Sequence, residues 1–202
     1  MAELVGLLLA AGAGARFDRS GQRLKLLEPL PTGPYAGRPL AEAAAQTLRS
    51  VLPRTFAVVA PPATQAQRRL HELLTRTGCE LVINERAADG IGSSLACGVR
   101  AAPQAAGWIV ALADMPAVAA ETIRAVAQAI AAGHLTAAPF VGGRRGHPVG
   151  FAQALYAELA ALQGDTGARG LLTKHPPWRV AVDDDGILRD VDTVADLMRA
   201  AG

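Results

Sequence analysis

Short, continuous apolar segments alternate with longer segments of mixed polarity along most of the chain. The apolar segments are bounded by glycine or proline, a pattern typical of strands buried on both faces of a sheet. It predicts strands at residues 4–9, 56–60, 81–83, 109–112, 136–138 and, most weakly, 179–182. The segments between them are rich in alanine, leucine and arginine, and predict helices at residues 40–52, 66–76, 94–101, 121–131, 152–160 and 193–201.

This alternation of strand and helix predicts the α/β class, as a three-layer α/β/α sandwich around a doubly wound, mostly parallel sheet. A chain of 202 residues fits one domain, so we expect a single domain over residues 1–202. Right-handed crossovers bring the carboxyl ends of parallel strands to one edge of the sheet, where ligands usually bind. The loops that follow the strands are therefore the ones to search for chemistry.

Composition excludes several classes of partner. The net charge is +2 and the basic residues are scattered, so we expect no nucleic acid and no membrane as partners. The apolar run at residues 4–10 is too short to span a bilayer and lacks the basic start of a signal peptide. Cys79 and Cys97 form neither a disulfide framework nor a zinc spacing, so we expect a reducing cytoplasmic compartment.

The loop after the first strand is the strongest candidate for binding phosphate. Residues 10–17 are small apart from Arg16 and Phe17, and Lys25 follows. Small residues let backbone amides approach an anion, and the two cations can neutralise phosphate charge. No P-loop string is present, and Phe17 stands where a dinucleotide fingerprint needs its third glycine. The loop therefore predicts a triphosphate cradle of another kind.

Carboxylates follow the fourth strand and recur near the C-terminus. Asp114 comes directly after the apolar run 109–112, and Asp190 and Asp192 lie in a later acidic segment. Each has a structural alternative: Asp114 could cap the next helix, and Asp192 could cap a helix beginning at Thr193. Two carboxylates together with phosphate oxygens form a typical Mg²⁺ site, so the two segments together favour a metal.

These motifs, in this order, resemble the MobA-like nucleotidyltransferases over nearly the whole chain. The similarity rests on the first loop, Asp114-Met115-Pro116, Gly146-His147-Pro148 and the stretch from Asp190 to Thr193. The chain is most similar to the molybdenum cofactor cytidylyltransferase (MocA) branch. The resemblance implies a Rossmann-like fold of the nucleotide-diphospho-sugar transferase type, with Mg²⁺ as cofactor.

The resemblance also implies the site residues. Those expected at the nucleotide are Leu9, Ala10, Ala11, Gly12, Ala13, Gly14, Arg16, Lys25, Gly92, Ser93, Ser94 and Asp114, of which Arg16, Lys25 and Asp114 are expected to be catalytic. Those expected at the acceptor are Arg145, Gly146, His147, Pro148 and Asp165. Asp114, with either Asp190 or Asp192, is expected to hold the metal.

Three assignments keep an alternative. Ser94 could be only the N-cap of its helix, and residues 143–150 could be only a basic turn before an edge strand. The interval from Arg16 to Lys25 is longer than is usual in the family, so Arg23 could replace Lys25 at the phosphates.

The implied reaction transfers a nucleoside monophosphate from a triphosphate to molybdopterin cofactor with release of pyrophosphate. An Ala-Ala-Gly loop such as Ala10-Ala11-Gly12 goes with the cytidylyl branch, which favours CTP. The product would be inserted into a molybdenum hydroxylase, which implies transient contact with that enzyme or its chaperone. The alternatives are a sugar-phosphate or alditol-phosphate nucleotidyltransferase and a non-catalytic cofactor-handover module, and two carboxylate segments argue against the latter.

Overall fold

The computed structural model describes residues 3–12, 17 and 23–199. The strands are β1 (Leu4–Leu9), β2 (Thr55–Val59), β3 (Glu80–Ile83), β4 (Gly107–Leu112), β5 (Thr136–Val141), β6 (Arg144–Arg145), β7 (Val149–Ala152) and β8 (Trp178–Ala181). The helices are α1 (Leu40–Val51), α2 (Gln65–Arg76), α3 (Ile91–Ala101), α4 (Ala120–Ala131), α5 (Tyr156–Ala160), α6 (Arg169–Lys174) and α7 (Val194–Arg199).

The strands form one mixed sheet in the order β3-β2-β1-β4-β7-β5-β6, and β8 pairs with β5. Four neighbouring strands, β3, β2, β1 and β4, are parallel, as is the pair of β5 with β8. Antiparallel pairing is confined to β7 and β6 with their neighbours. Because β1 lies in the middle of the parallel part, the loops after β1, β2 and β4 open at the same edge of the sheet.

Helices cover both faces of the sheet, and alternate residues of β1 point to the two sides. Leu8 packs in the cluster that buries α1, α2 and α4, whereas Val5 and Leu7 pack in the cluster that buries α3, α5 and α6. A strand covered on both faces needs a continuous apolar sequence, which is why β1 has no polar residue. The α/β/α layering predicted from the sequence is confirmed.

All six predicted strands are present, most of them with bounds shifted by one or two residues. One predicted helix starts later than expected. The helix expected at 152–160 begins only at Tyr156, because residues up to Ala152 form β7 and a short 3-10 turn follows. The alternative interpretation of residues 143–150, a basic turn before an edge strand, was wrong about the edge, since the strand that follows is β7, which lies inside the sheet between β4 and β5.

None of the helices in the described part of the chain is both long enough and apolar enough to cross a membrane.

Candidate active site

A wide cleft lies at the edge of the sheet where β1, β2 and β4 end. Its volume is about 830 Å³. Its lining includes Leu9, the last residue of β1, the following residues Ala10 to Gly12, and residues at the starts of α2 and α3. Lys25, Asp114 and Asp192 line the same cleft, so the loop after β1 and both carboxylate segments meet there.

The three charged side chains form one bonded cluster. Lys25 Nζ donates to Asp114 Oδ2 at 2.7 Å, to Asp192 Oδ1 at 3.0 Å and to the Val191 carbonyl oxygen at 2.9 Å. The side chain of Lys25 is only 9% exposed, whereas those of Asp114 and Asp192 are 23% and 22% exposed. The ammonium is therefore held beneath two carboxylates that face the cleft.

Burial and charge act in opposite directions on this lysine. Burial lowers the pKa of Lys25, but the carboxylates of Asp114 and Asp192 raise it by charge and hydrogen bonding, and together they prevail. The net pKa is raised, so Lys25 stays protonated and offsets the charge of one carboxylate.

Backbone contacts hold Asp192 beside Asp114. The Val191 amide donates to the Asp114 carbonyl oxygen at 2.9 Å. Earlier in the same segment, Asp184 Oδ2 accepts from the Ala119 amide at 3.0 Å and from Thr122 Oγ1 at 2.6 Å. Asp184 thus caps α4 from a distant part of the sequence, and residues 184–192 are bound to the loop that carries Asp114.

The structure separates the two candidates for the second carboxylate. Asp192 bonds to Lys25, whereas Asp190 is exposed. The alternative role of Asp192 as a helix cap was wrong. The helix begins at Val194, and Thr193 exchanges hydrogen bonds with Asp196 in a capping box.

Arg23 and Lys25 have different surroundings. Arg23 makes two hydrogen bonds to the Glu28 carboxylate, at 3.0 and 2.6 Å, and its side chain is 54% exposed. It also lies over the Phe17 ring, 5.4 Å from the centroid. Lys25 is buried against the two carboxylates, so the structure brings Lys25 to the centre of the cluster and leaves Arg23 at the cleft margin.

The start of α3 is set by a close backbone contact. The Gly92 amide donates to the Gly164 carbonyl oxygen at 2.9 Å, and a Cβ at Gly92 would lie 2.7 Å from the Gln163 carbonyl oxygen. The N-cap position is taken by Gly90, with φ +111°, so the alternative role of Ser94 as an N-cap was wrong. Ser94 is instead inside the first turn, buried, and lines the cleft.

The predicted acceptor residues occupy two places. Arg145 is exposed on β6, and Gly146 packs so closely on Ile187 that a Cβ there would overlap it. The His147 amide donates to the Ile187 carbonyl oxygen at 3.1 Å. Asp165 instead lies beside Gly90, since a Cβ on that glycine would come within 2.6 Å of the Asp165 Cα.

Burial lowers the pKa of His147, the Asp114 charge raises it and the Arg145 charge lowers it, with a net decrease. His147 is therefore neutral near pH 7, and its buried Nδ1 has no hydrogen-bond partner in the described part of the chain. Positive charge at this loop comes from the arginines. Pro148 follows His147 and is buried.

Three predicted nucleotide residues, Ala13, Gly14 and Arg16, lie outside the described residues. Leu9 to Gly12 and the buried Ser94 line the cleft, whereas Ser93 is buried and lines a smaller cavity. Sequence reasoning missed Asn84, which donates to both serines. Its position directly after a predicted strand was a usable signal, because that is where the other site residues occur.

The cluster fits a divalent cation. Among residues 3–12, 17 and 23–199, no group of three or more histidines, cysteines or acids could hold a metal. Mg²⁺ needs fewer protein ligands, since it takes one or two carboxylates and completes its shell with water and phosphate. Asp114 and Asp192 already hold one cation, the Lys25 ammonium, so the two carboxylates lie close enough to share a positive ion.

Comparison with protein families gives one match over most of the chain. A family model described as the MobA-like NTP transferase domain matches residues 6–178. One relative, nicotine blue oxidoreductase of Paenarthrobacter nicotinovorans, is 32% identical, and the alignment covers 97% of this chain and 95% of that protein.

Solved structures share the fold over almost the full length. Rv0371c from Mycobacterium tuberculosis is 25% identical with a TM-score of 0.76, covering 99% of this chain and 97% of that one. A second structure of Rv0371c is a complex with manganese, at a TM-score of 0.74. Molybdopterin-guanine dinucleotide biosynthesis protein A from Archaeoglobus fulgidus is 20% identical with a TM-score of 0.69, covering 98% of this chain and 96% of that one.

Proposed function

The chain belongs to the MobA-like NTP transferase family and is a nucleotidyltransferase, and from this premise we propose that it transfers CMP from CTP to the phosphate of molybdopterin cofactor. Pyrophosphate is released and the reaction requires Mg²⁺. The observation that carries the proposal is the cluster of Lys25, Asp114 and Asp192 at a cleft large enough for a nucleotide. Residues 1–202 would form one catalytic domain that acts in the cytoplasm.

In the reaction, an ionised phosphate oxygen of the acceptor attacks the α-phosphorus in line, and the bond to the pyrophosphate oxygen breaks. The nucleophile is already an anion near neutral pH, so no side chain has to remove a proton from it. The chain has to orient the two phosphates and balance their charge. Ala10 to Gly12 and Lys25 line the cleft, so their backbone groups and the Lys25 charge would contact a triphosphate bound there.

Asp114 and Asp192 would hold Mg²⁺, which polarises phosphate oxygens and offsets their negative charge. The assignment of Asp192 rather than Asp190 is supported by its shared contact with Lys25. The manganese complex of Rv0371c supports a divalent metal in a protein of the same fold.

Support for CTP comes from the Ala10-Ala11-Gly12 loop, which matches the cytidylyl branch of the family. Support for the pterin acceptor comes from the loop Arg145 to Pro148, which resembles the acceptor loop of the family and whose exposed Arg145 supplies positive charge. The likeness of fold to the A. fulgidus protein is consistent with such an acceptor. A product of this kind would be handed to a molybdenum hydroxylase or its chaperone.

The relative named nicotine blue oxidoreductase suggests a second candidate, reduction of a conjugated dye, because it matches along the whole chain. The first loop does not carry a dinucleotide fingerprint, since Phe17 replaces the third glycine. The cluster of two carboxylates and a lysine is also better suited to phosphate chemistry than to hydride transfer. We therefore rank nucleotidyl transfer first.

One experiment separates the candidates. Pyrophosphate release is measured with Mg²⁺, each of the four ribonucleoside triphosphates, and either molybdopterin cofactor or a panel of sugar and alditol phosphates. Release confined to CTP and the pterin is the expected result. Release with a sugar phosphate instead would show that the acceptor is a sugar phosphate and not the pterin. The proposal would be rejected if no mixture released pyrophosphate and the protein oxidised a reduced nicotinamide nucleotide with a quinonoid dye.

A further inference from the structure

A buried polar network lies behind the cleft wall at the start of α3. Asn84 is 4% exposed, and its Nδ2 donates to Ser93 Oγ at 2.9 Å and to Ser94 Oγ at 3.1 Å. The Arg86 backbone amide donates to Asn84 Oδ1 at 3.0 Å. Because a backbone amide can only donate, this contact identifies the carbonyl side of the Asn84 amide. The nitrogen must then face the serines.

The two serines differ in their remaining bonds. Ser93 Oγ lies 2.8 Å from both the Arg86 and the Gly90 carbonyl oxygens, so its single hydrogen is shared between these two acceptors. Ser94 Oγ accepts from Asn84 and makes no further hydrogen bond within the part of the chain that the structure describes. Ser94 also lines the cleft. A hydroxyl has a single hydrogen, so the hydrogen of Ser94 is left for a group that binds in the cleft.

We infer that Asn84 is a specificity-determining positioning residue, which fixes the Ser94 hydroxyl as a donor towards the bound nucleotide. The nucleotide atom seated at Ser94 is then an acceptor of the base or the ribose: a carbonyl oxygen, an unprotonated ring nitrogen or the 2′-hydroxyl oxygen. An amino group at that point would leave the hydroxyl hydrogen unpaired, which costs about tenfold in affinity. This inference rests on the proposed function, because it takes the ligand to be a nucleoside triphosphate.

The test measures CTP binding by calorimetry without any acceptor, so that turnover plays no part. Ser94→Ala removes the donor. Asn84→Asp keeps an oxygen for the Arg86 amide but turns a carboxylate oxygen towards Ser94, so the hydroxyl donates to it and not to the ligand. We expect each variant to weaken CTP binding about tenfold. The double variant should bind no more weakly than either single variant, because both remove the same bond.

Cys97→Ala is the matched control on the same helix. Cys97 lies one turn beyond Ser94, and its thiol faces the Ile83 carbonyl oxygen at 3.7 Å, away from the residues that line the cleft. Trimming α3 at this point should leave CTP binding at the wild-type value. A tenfold loss in this variant too would show that α3 is generally sensitive to trimming, and would overturn the inference.

Analogues of CTP identify the acceptor atom. The 3-deaza analogue lacks the ring acceptor N3, the 2-thio analogue weakens the carbonyl acceptor, and the 2′-deoxy analogue lacks the sugar hydroxyl. Ser94→Ala should cost about tenfold with two of these ligands and nothing with the third, whose lost acceptor is the partner of Ser94. An equal cost with all three would overturn the inference, since a purely structural role for Ser94 predicts that pattern.

The affinities of the Asn84 and Ser94 variants for CTP together test the role of Asn84. If Asn84→Asp binds CTP as tightly as the wild type while Ser94→Ala does not, Asn84 does not direct the hydroxyl. Should Asn84→Asp fail to melt cooperatively, Asn84→Ala frees the hydroxyl to rotate, and a wild-type affinity there would overturn the inference equally. Failure of the proposed function looks different, because the wild-type protein would then bind none of the four triphosphates.

Discussion

The ammonium group of Lys25 donates its three hydrogens to Asp114, Asp192 and the Val191 carbonyl. In formal charge, two carboxylates and one ammonium sum to −1 at the base of the cleft. A divalent cation would reverse that sign and create an attractive field for a triphosphate. Asp114 and Lys25 therefore have different expected roles, in metal binding and in triphosphate binding, and substitutions can test each role separately.

Asp114→Asn should reduce pyrophosphate release at least about a hundredfold, because the amide cannot replace a carboxylate at a metal ion that stabilises developing charge. The shape of the side chain is kept, and the amide oxygen still accepts from Lys25. Steady-state turnover and a melting curve test this together. Normal turnover in the variant would reject Asp114 as a metal ligand.

Lys25→Met should raise the KM for the triphosphate about ten- to a hundredfold, because Asp114 and Asp192 lose their charged hydrogen bonds to the ammonium and the uncompensated carboxylates repel the triphosphate. Arg23→Met is the matched control, because Arg23 is paired with Glu28 at the cleft margin. Its KM should stay within about threefold of the wild type, as expected for an exposed ion pair. The reverse ranking would assign the phosphate contact to Arg23.

The sequence predicted Asp114 from its place after an apolar strand, and this is where the structure has it. It could not choose between Asp190 and Asp192. That choice depends on the bond between the Val191 amide and the Asp114 carbonyl, a contact between distant parts of the chain. No local pattern in the segment specifies which of the two carboxylates turns inward.

At the scale of elements, the buried parallel strands were the most predictable, because a strand covered on both faces has a continuous apolar sequence. β7 lacked such a signal, since Val149–Ala152 is four residues long and contains Gly150. That glycine is required by packing: a Cβ there would lie 2.6 Å from Ile130 Cγ1 on α4. Helix α6 was also missed, because six residues are too few for a helical period to show.

The close contact between α3 and residues 163–165 makes a prediction at the same scale. Gly92→Ala should lower the free energy of unfolding by about 1–3 kcal/mol, because its Cβ would displace the Gln163 carbonyl. Gly170→Ala has open space around its Cβ in α6 and should raise the same quantity by about 0.5–1 kcal/mol. Urea unfolding of the two variants checks both signs. If Gly92→Ala leaves the free energy of unfolding unchanged, residues 163–165 move to accept the Cβ without cost.

At the scale of the whole molecule, the fold does not need a metal to hold its two central carboxylates together, because Lys25 already pairs with both. Treatment with EDTA should therefore abolish pyrophosphate release and change the melting temperature by no more than about 2 °C. Added Mg²⁺ should restore activity fully. A large fall in melting temperature on chelation would show instead that the cation is part of the folded scaffold.

The remote capping of α4 by Asp184 has a consequence for the order in which the enzyme matures. The first loop, Lys25 and Asp114 all precede the sheet's last strand, but Asp192 follows it and is held through residues 184–191. During synthesis a chain folds from its N-terminal end, so the sheet centre and the nucleotide cleft can form while the final residues are still being made. Until those residues emerge and dock, the lysine has one carboxylate partner instead of two. With Asp192 as the proposed second metal ligand, a nascent chain would not turn over triphosphate until residues 184–192 have docked.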